Sequence, residues 1–399
     1  MPAIQHGRVL CGARLLPRGI HPSRSVDRSE IKEVDMRLSR NITVMLLMFA
    51  VIVSGAFAGG DQEGGAEGDD VTMLEGAPAP FDGTKKLTIA HVGYLLEGEF
   101  MQMYRAGAEA QAELMDMDFI TLGKQTDAQA QANFVEQAIN QGVDGIVIQH
   151  GVPESLQAVA QRALDAGIPV VAFDVDLDNP EIPQIAQNDP QHGMNAITQI
   201  QQDYDGQANI AYVYTPGVLP LDKRDSTIQE VVGSESGMEI VEQTGTLESP
   251  IAVKNADQAK AVLRANESID VYLAPYDEFA KGIQMALEEL GMTEDVSIYS
   301  VDISTQDIEL MTKDGSPWVM TSAVNPSAVG AASVRTLALE MAGEDVPEDV
   351  LIPTHVFTQD MLRENNITNM DDLRESFPEF NRADVSTAPW IPMGAGEMF

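Results

Sequence analysis

Cysteine is almost missing from this chain: Cys11 stands alone among 399 residues. That excludes a disulfide scaffold, thiol chemistry in the body of the protein and any cysteine-built metal site. Positive charge is also scarce, with 24 Lys and Arg against 62 Asp and Glu, a formal net charge of −38. Eight of the basic and four of the acidic residues lie in 1–58, so the remainder carries 16 against 58. A surface of that sign repels phosphate backbones and anionic lipids, so no nucleic-acid partner is expected. It suits solubility or a salt-rich habitat, and leaves room for a preference for cationic ligands. No Gly-x-Ser-x-Gly elbow, phosphate-binding loop or His/Cys cluster occurs, so nothing marks an enzyme or a cofactor site.

The N-terminal region reads as an export signal. Met36-Arg37-Leu38-Ser39-Arg40 is a basic segment, Ile42–Val53 an apolar run too short for a bilayer span, and Ala56-Phe57-Ala58 a small-x-small cleavage pattern. Cleavage after Ala58 would release a periplasmic protein; a membrane anchor is the alternative. Residues 1–35 read as an over-extended start, 36–58 as the signal, and the Gly- and acid-rich 59–84 as a disordered lead-in.

Alternation begins at Lys85. Short apolar runs such as Leu87–Val92, Gly145–Ile148 and Val170–Phe173 read as strands buried on both faces. Between them, Phe100–Met115, Ala128–Gln141 and Ser155–Ala166 have helical spacing. The pattern restarts at Asn209–Tyr214 and runs through Val296–Val301, which implies two α/β lobes, each a doubly wound parallel sheet. The expected division is 85–187 plus 325–345 for lobe 1 and 188–324 plus 346–360 for lobe 2. Residues 361–399 form an extension on the lobes, in which Trp390 covers an apolar patch or marks a partner contact.

Several segments in order then resemble the periplasmic type I sugar-binding proteins of the ribose and galactose kind. They include LTIAHVGYLLEGEFMQMYRAGAEAQA (87–112), QAINQGVDGIVIQ (137–149), ALDAGIPVVAFDVD (163–176), IAQNDPQHG (185–193) and DVYLAPYDEFAKGIQMALEELG (270–291). The resemblance implies two lobes joined by three crossovers, a cleft that closes on a sugar, a monomer, and delivery to the permease of an ABC importer. A sensor or chemoreceptor partner is the alternative role. A nucleoside, polyol or quaternary amine is the alternative ligand, because cations also bind aromatic faces. Physics agrees on the cleft, since ligands collect at the carboxyl ends of parallel strands.

A sugar needs carboxylates and amides for its hydroxyls, a cationic fork, and an aromatic platform. The resemblance places Phe100 as the stacking ring, Gln149 as an amide contact, Asp174 and Asp302 as strand-end acids, and Arg224 as the fork. Asp222 and Asp225 either position Arg224 or cap its helix. Tyr94 belongs either to the cleft or to the core, and His150 either reaches the same cleft or is structural. Three family contacts are altered: Val175 stands for an arginine, Tyr276 for an asparagine, and Val324 for a glutamine that Asn325 would replace. The Asp174-x-Asp176-x-Asp178 run lacks the Gly and Glu of a calcium loop, with Asn179 and Ile185 at those places, so no metal is expected.

Overall fold

The computed structural model describes residues 74–234, 237–381 and 383–393. Two six-stranded sheets organise them. The first has the order β11-β5-β4-β3-β1-β2, built from β1 (Leu87–Gly93), β2 (Met117–Gly123), β3 (Gly145–Gln149), β4 (Val170–Phe173), β5 (Gln184–Gln187) and β11 (Asp349–Ile352). All its pairings are parallel. The second has the order β12-β10-β9-β8-β6-β7, built from β6 (Ala208–Val213), β7 (Met238–Thr244), β8 (Val271–Ala274), β9 (Ser297–Val301), β10 (Trp318–Ala323) and β12 (His355–Thr358). Only β12 runs antiparallel, against β10. The doubly wound α/β reading holds for both lobes.

Helices α1 (Glu99–Leu114), α2 (Ala128–Gln141) and α3 (Pro153–Asp165) cover the first sheet. Helices α4 (Asp189–Asp203), α5 (Leu219–Ser234), α6 (Ile251–Ala265), α7 (Asp277–Leu290) and α8 (Thr305–Thr312) belong to the second lobe. Helix α9 (Pro326–Met341) returns to the first lobe and packs on α1 at very short range. A Cβ on Gly330 would lie 1.9 Å from the Tyr104 carbonyl oxygen, and one on Gly107 would lie 2.1 Å from that of Ser327. Glycine is required at both places because the opposing atoms are backbone and cannot yield.

The chain passes between lobes three times, at 188, at 324–325 and at 353–354. The expected division placed 346–360 in lobe 2; β11 instead lies in the first sheet beside β5, so 349–352 belong to lobe 1 and only 355–358 return to lobe 2. Pro353 separates β11 from β12, since it cannot donate to a ladder and ends the pairing. Helix α4 and strand β5 were not expected. Helix α4 buries only a few apolar side chains, Ala196, Ile197 and Ile200 among them, and much of the rest is glutamine, but its start is well defined by the Asn188 side chain accepting from the Gln191 amide.

The end of the lead-in is also ordered. Phe81 is buried with its ring centroid 4.9 Å from that of Trp390. An apolar partner supplied from the other end of the chain outweighs the local polar composition. Trp390 is itself buried and donates to Glu344 at 2.7 Å, so it covers a patch on lobe 1. After α10 (Gln359–Glu364) and α11 (Met370–Ser376), the extension is held to lobe 2 by Phe377 and Phe380 on Phe357. It is then held to lobe 1 by Arg335, which donates to the carbonyls of Ala383 and Val385. The proposed signal and its cleavage site lie outside the described residues. Among those residues no helix is long and apolar enough to cross a membrane.

Candidate functional site

The carboxyl ends of the two sheets face each other across the crossovers, and a pocket lies between them. Leu95, Phe100, Met101, His150 and Gln187 line it from lobe 1. Val218, Pro220, Leu221, Arg224, Leu247, Tyr276 and Asp302 line it from lobe 2. The cavity between them is about 20 Å³, little more than the room one water needs, so the two lobes stand closed on each other around it.

Three strand ends are strained toward it. His150 follows β3 with φ 53°, Asp174 follows β4 with φ 53°, and Asp302 follows β9 with φ 80°. Left-handed backbone at residues other than glycine costs about 1–3 kcal/mol each and persists where the surroundings fix it, typically at functional sites. No sequence pattern announced this shared geometry.

The polar floor is built around Arg224, buried in the first turns of α5. Its Nε donates to Asp189 Oδ1 at 2.9 Å and its Nη1 to the Pro275 carbonyl at 2.8 Å. Nη1 also lies 3.8 Å from Asp302 Oδ2. Although burial works against the charge, Asp189, Asp302 and Asp174 together hold the guanidinium pKa above its usual value. The Asp302 carboxyl is pushed up to about 7, mainly by burial, with Arg224 opposing and Asp277 and Asp189 adding to the rise. Among the described residues its Oδ1 has no partner, and neither do Asp174 Oδ1 and Gln187 Oε1. Buried acceptors left open in this way match a ligand that brings hydroxyl donors.

Gln187 Nε2 donates to Asp174 Oδ2 at 3.1 Å, and burial raises the Asp174 pKa well above the carboxylate range. His150 is held neutral, its pKa lowered to about 3 by burial, with Arg224 adding to the effect. Its Nδ1 faces the Gln149 amide, and its Nε2 lies 3.8 Å from Asp174 Oδ2.

Of the nine expected residues, Phe100, His150, Arg224, Tyr276 and Asp302 line the pocket together. Gln149 and Asp174 stand directly behind it, holding His150 and Gln187. Tyr94 lies further out, in a crevice it shares with Gly151, Pro153, Pro216 and Gly217. Asn325 is a correction: it caps α9 through the Ser327 amide and donates to Asn381 at 3.2 Å, so its side chain is used up at the crossover. Val175 and Val324 are not lost ligand contacts either, since both are buried in the lobe cores. Tyr276 does face the pocket, but its hydroxyl donates across the cleft to the Glu97 carbonyl at 3.2 Å. Asp222 binds Tyr214 and the Gly217 amide instead of Arg224.

Sequence reasoning missed Gln187 and Asp189. The signal was Asn-Asp-Pro at 188–190, a helix start that turns Asp189 toward Arg224. It also missed the apolar walls, Leu95, Val218, Leu221 and Leu247, which carry no motif. Among the described residues no group of His, Cys, Asp or Glu is placed to hold a metal ion.

Residues 89–345 match the family model described as "Periplasmic binding protein domain". The chain belongs to that family. Its members are the substrate-binding components of transport systems, not enzymes. This binding protein is similar to a 5-methylthioribose transporter solute-binding protein from Thermotoga lettingae, solved in complex with 5-methylthioribose. The two are 34% identical with a TM-score of 0.76, over 79% of this chain and 98% of the other. A sugar ABC transporter protein from Yersinia enterocolitica is 27% identical with a TM-score of 0.74, over 77% and 94%. The D-ribose/D-allose-binding protein of Pseudomonas aeruginosa is 29% identical over 66% of this chain and 85% of its own.

Proposed function

We propose that this binding protein captures a monosaccharide bearing an apolar substituent, closes its lobes on it, and presents it to an ABC importer outside the cytoplasmic membrane. The observation that carries the reading is the division of the pocket. Arg224, Asp302, Gln187 and His150 supply donors and open acceptors for ring hydroxyls. Phe100 supplies a ring for a sugar face, and Leu95, Val218, Leu221 and Leu247 supply a wall with no polar group to satisfy a hydroxyl. An unsubstituted sugar would leave a hydroxyl against that wall, and an unbonded hydroxyl out of water costs about 1–3 kcal/mol.

The ligands named for the relatives support a sugar, and 5-methylthioribose combines the hydroxyls and the apolar substituent that the divided lining calls for. Export follows from the segment ending at Ala58, and the first residue of the secreted protein, expected to be Gly59, checks it by mass spectrometry. For the ligand, a thermal-shift screen across D-ribose, D-allose, xylitol, 5-methylthioribose, nucleosides and quaternary amines is decisive. A ligand at a hundredfold excess over its dissociation constant stabilises the fold by about 2.7 kcal/mol. The largest shift is expected with 5-methylthioribose. A response to nucleosides or amines and to no sugar contradicts the reading.

A further inference from the structure

Glu97-Gly98-Glu99 joins the loop after β1 to the first residue of α1, and both glutamate side chains reach out of their own lobe. Glu97 Oε1 accepts from the Ile251 amide, the first residue of α6, at 3.0 Å. Glu99 Oε2 accepts from the Gln306 amide, in the first turn of α8, at 3.0 Å. The Glu97 carbonyl accepts from Tyr276 of the same opposite lobe. Three interlobe hydrogen bonds therefore end on two residues, Glu97 and Glu99, with Gly98 between them.

The geometry points to a latch. We infer that Glu97 and Glu99 are positioning residues that hold the two lobes together, biasing the chain toward closure before sugar arrives and slowing release afterwards. The inference rests on the reading of the cleft as a ligand clamp. Helix α6 needs an outside partner: its N-cap residue is Pro250, which makes no side-chain cap bond, so its first amide is satisfied only from across the cleft. A carboxylate at a helix N-terminus also meets the positive end of the peptide dipoles, which matters between two lobes whose surfaces are both acidic.

Gly98 makes the arrangement possible. Its φ of 96° lies where glycine is favoured, and a Cβ there would come within 3.3 Å of the Tyr276 hydroxyl and of Glu278. The turn sends successive glutamates to different helices while the backbone touches the opposite lobe.

The test is an interlobe distance measured by pulsed electron paramagnetic resonance. Spin labels go on Lys124→Cys and Asp257→Cys, both well exposed, in the full chain carrying Cys11→Ser so that no other cysteine reacts. Sugar-free wild type is expected to show a dominant short distance. The Glu97→Ala/Glu99→Ala variant should raise the ratio of long to short about tenfold, the factor that ~1.4 kcal/mol of lost bonding represents. Glu97→Gln/Glu99→Gln keeps the accepting oxygens without the charge and should fall between. An unchanged circular-dichroism spectrum establishes that each variant is folded, and if the alanine pair is not, the glutamine pair decides. Identical sugar-free distance distributions in wild type and variants overturn the latch. The same comparison is repeated with the sugar that raises the melting temperature most in the screen above. If no sugar does, the ligand reading fails while the sugar-free comparison still decides the latch.

Discussion

Replacing Asp302 by Asn should stabilise the sugar-free protein, and should do so increasingly as pH rises. In the folded chain the carboxyl pKa is pushed up to about 7, well above the usual carboxylate range, because burial disfavours its charged form more than Arg224 favours it. The sign follows from proton counting. A raised pKa means the folded state keeps a proton that the unfolded chain releases, so this group's contribution is full below about 4 and is lost as pH rises through about 7. Between pH 5 and pH 7 the loss approaches ~1.36 kcal/mol per unit, on the order of 2 kcal/mol in all. Asn carries no such proton, keeps the shape, and tolerates the left-handed φ of 80° at this position. The advantage of Asp302→Asn over wild type should therefore grow by about 2 kcal/mol from pH 5 to pH 8, read as several degrees in melting temperature. Calorimetric scans of both proteins across that range measure it. A difference between the two that does not change with pH would refute the account of Asp302 as a buried acid kept for its ligand. Sugar binding should weaken in the same variant, because Asn lacks the charged acceptor.

Arg224→Lys retains the charge but cannot span Asp189 and the Pro275 carbonyl together. It should cost about 1.5–3 kcal/mol, the worth of a hydrogen bond to a charged group, in both denaturant stability and calorimetric affinity. Leu247→Ala should lower the preference for 5-methylthioribose over D-ribose by about three- to tenfold, since burying one methylene contributes ~0.8 kcal/mol; paired titrations give the ratio. Gly330→Ala forces a methyl group against the Tyr104 carbonyl and should destabilise the protein by about 1–3 kcal/mol or more, with affinity per folded molecule little changed.

Much of the fold was legible because buried parallel strands advertise themselves as unbroken apolar runs: Gly145–Ile148 and Val170–Phe173 fall within β3 and β4. Helix α4 was not legible, since its glutamine-rich, polar composition masks the few core residues it carries, and β11 was misassigned because lobe membership depends on which sheet edge is open. The site was legible where one residue sits at a strand end, as with Asp302, or where a scarce cation stands near a helix start, as with Arg224. It was not legible where lining depends on which way a side chain turns: Asn325 and Val324 sit at the right crossover but face the cap and the core. Pairings between distant segments, such as Arg224 with Asp189 or Glu97 with Ile251, exist only once the lobes are assembled.

The central claim is that a sugar with an apolar substituent lies between the lobes, its hydroxyls on the polar floor. Crystallising the protein with 5-methylthioribose tests it most directly. Electron density should place the hydroxyls within hydrogen-bond reach of Arg224, Asp302 and Gln187, and the methylthio group against Val218 and Leu247. Density for the compound outside this pocket, or with the methylthio group on the Arg224 side, would contradict the account.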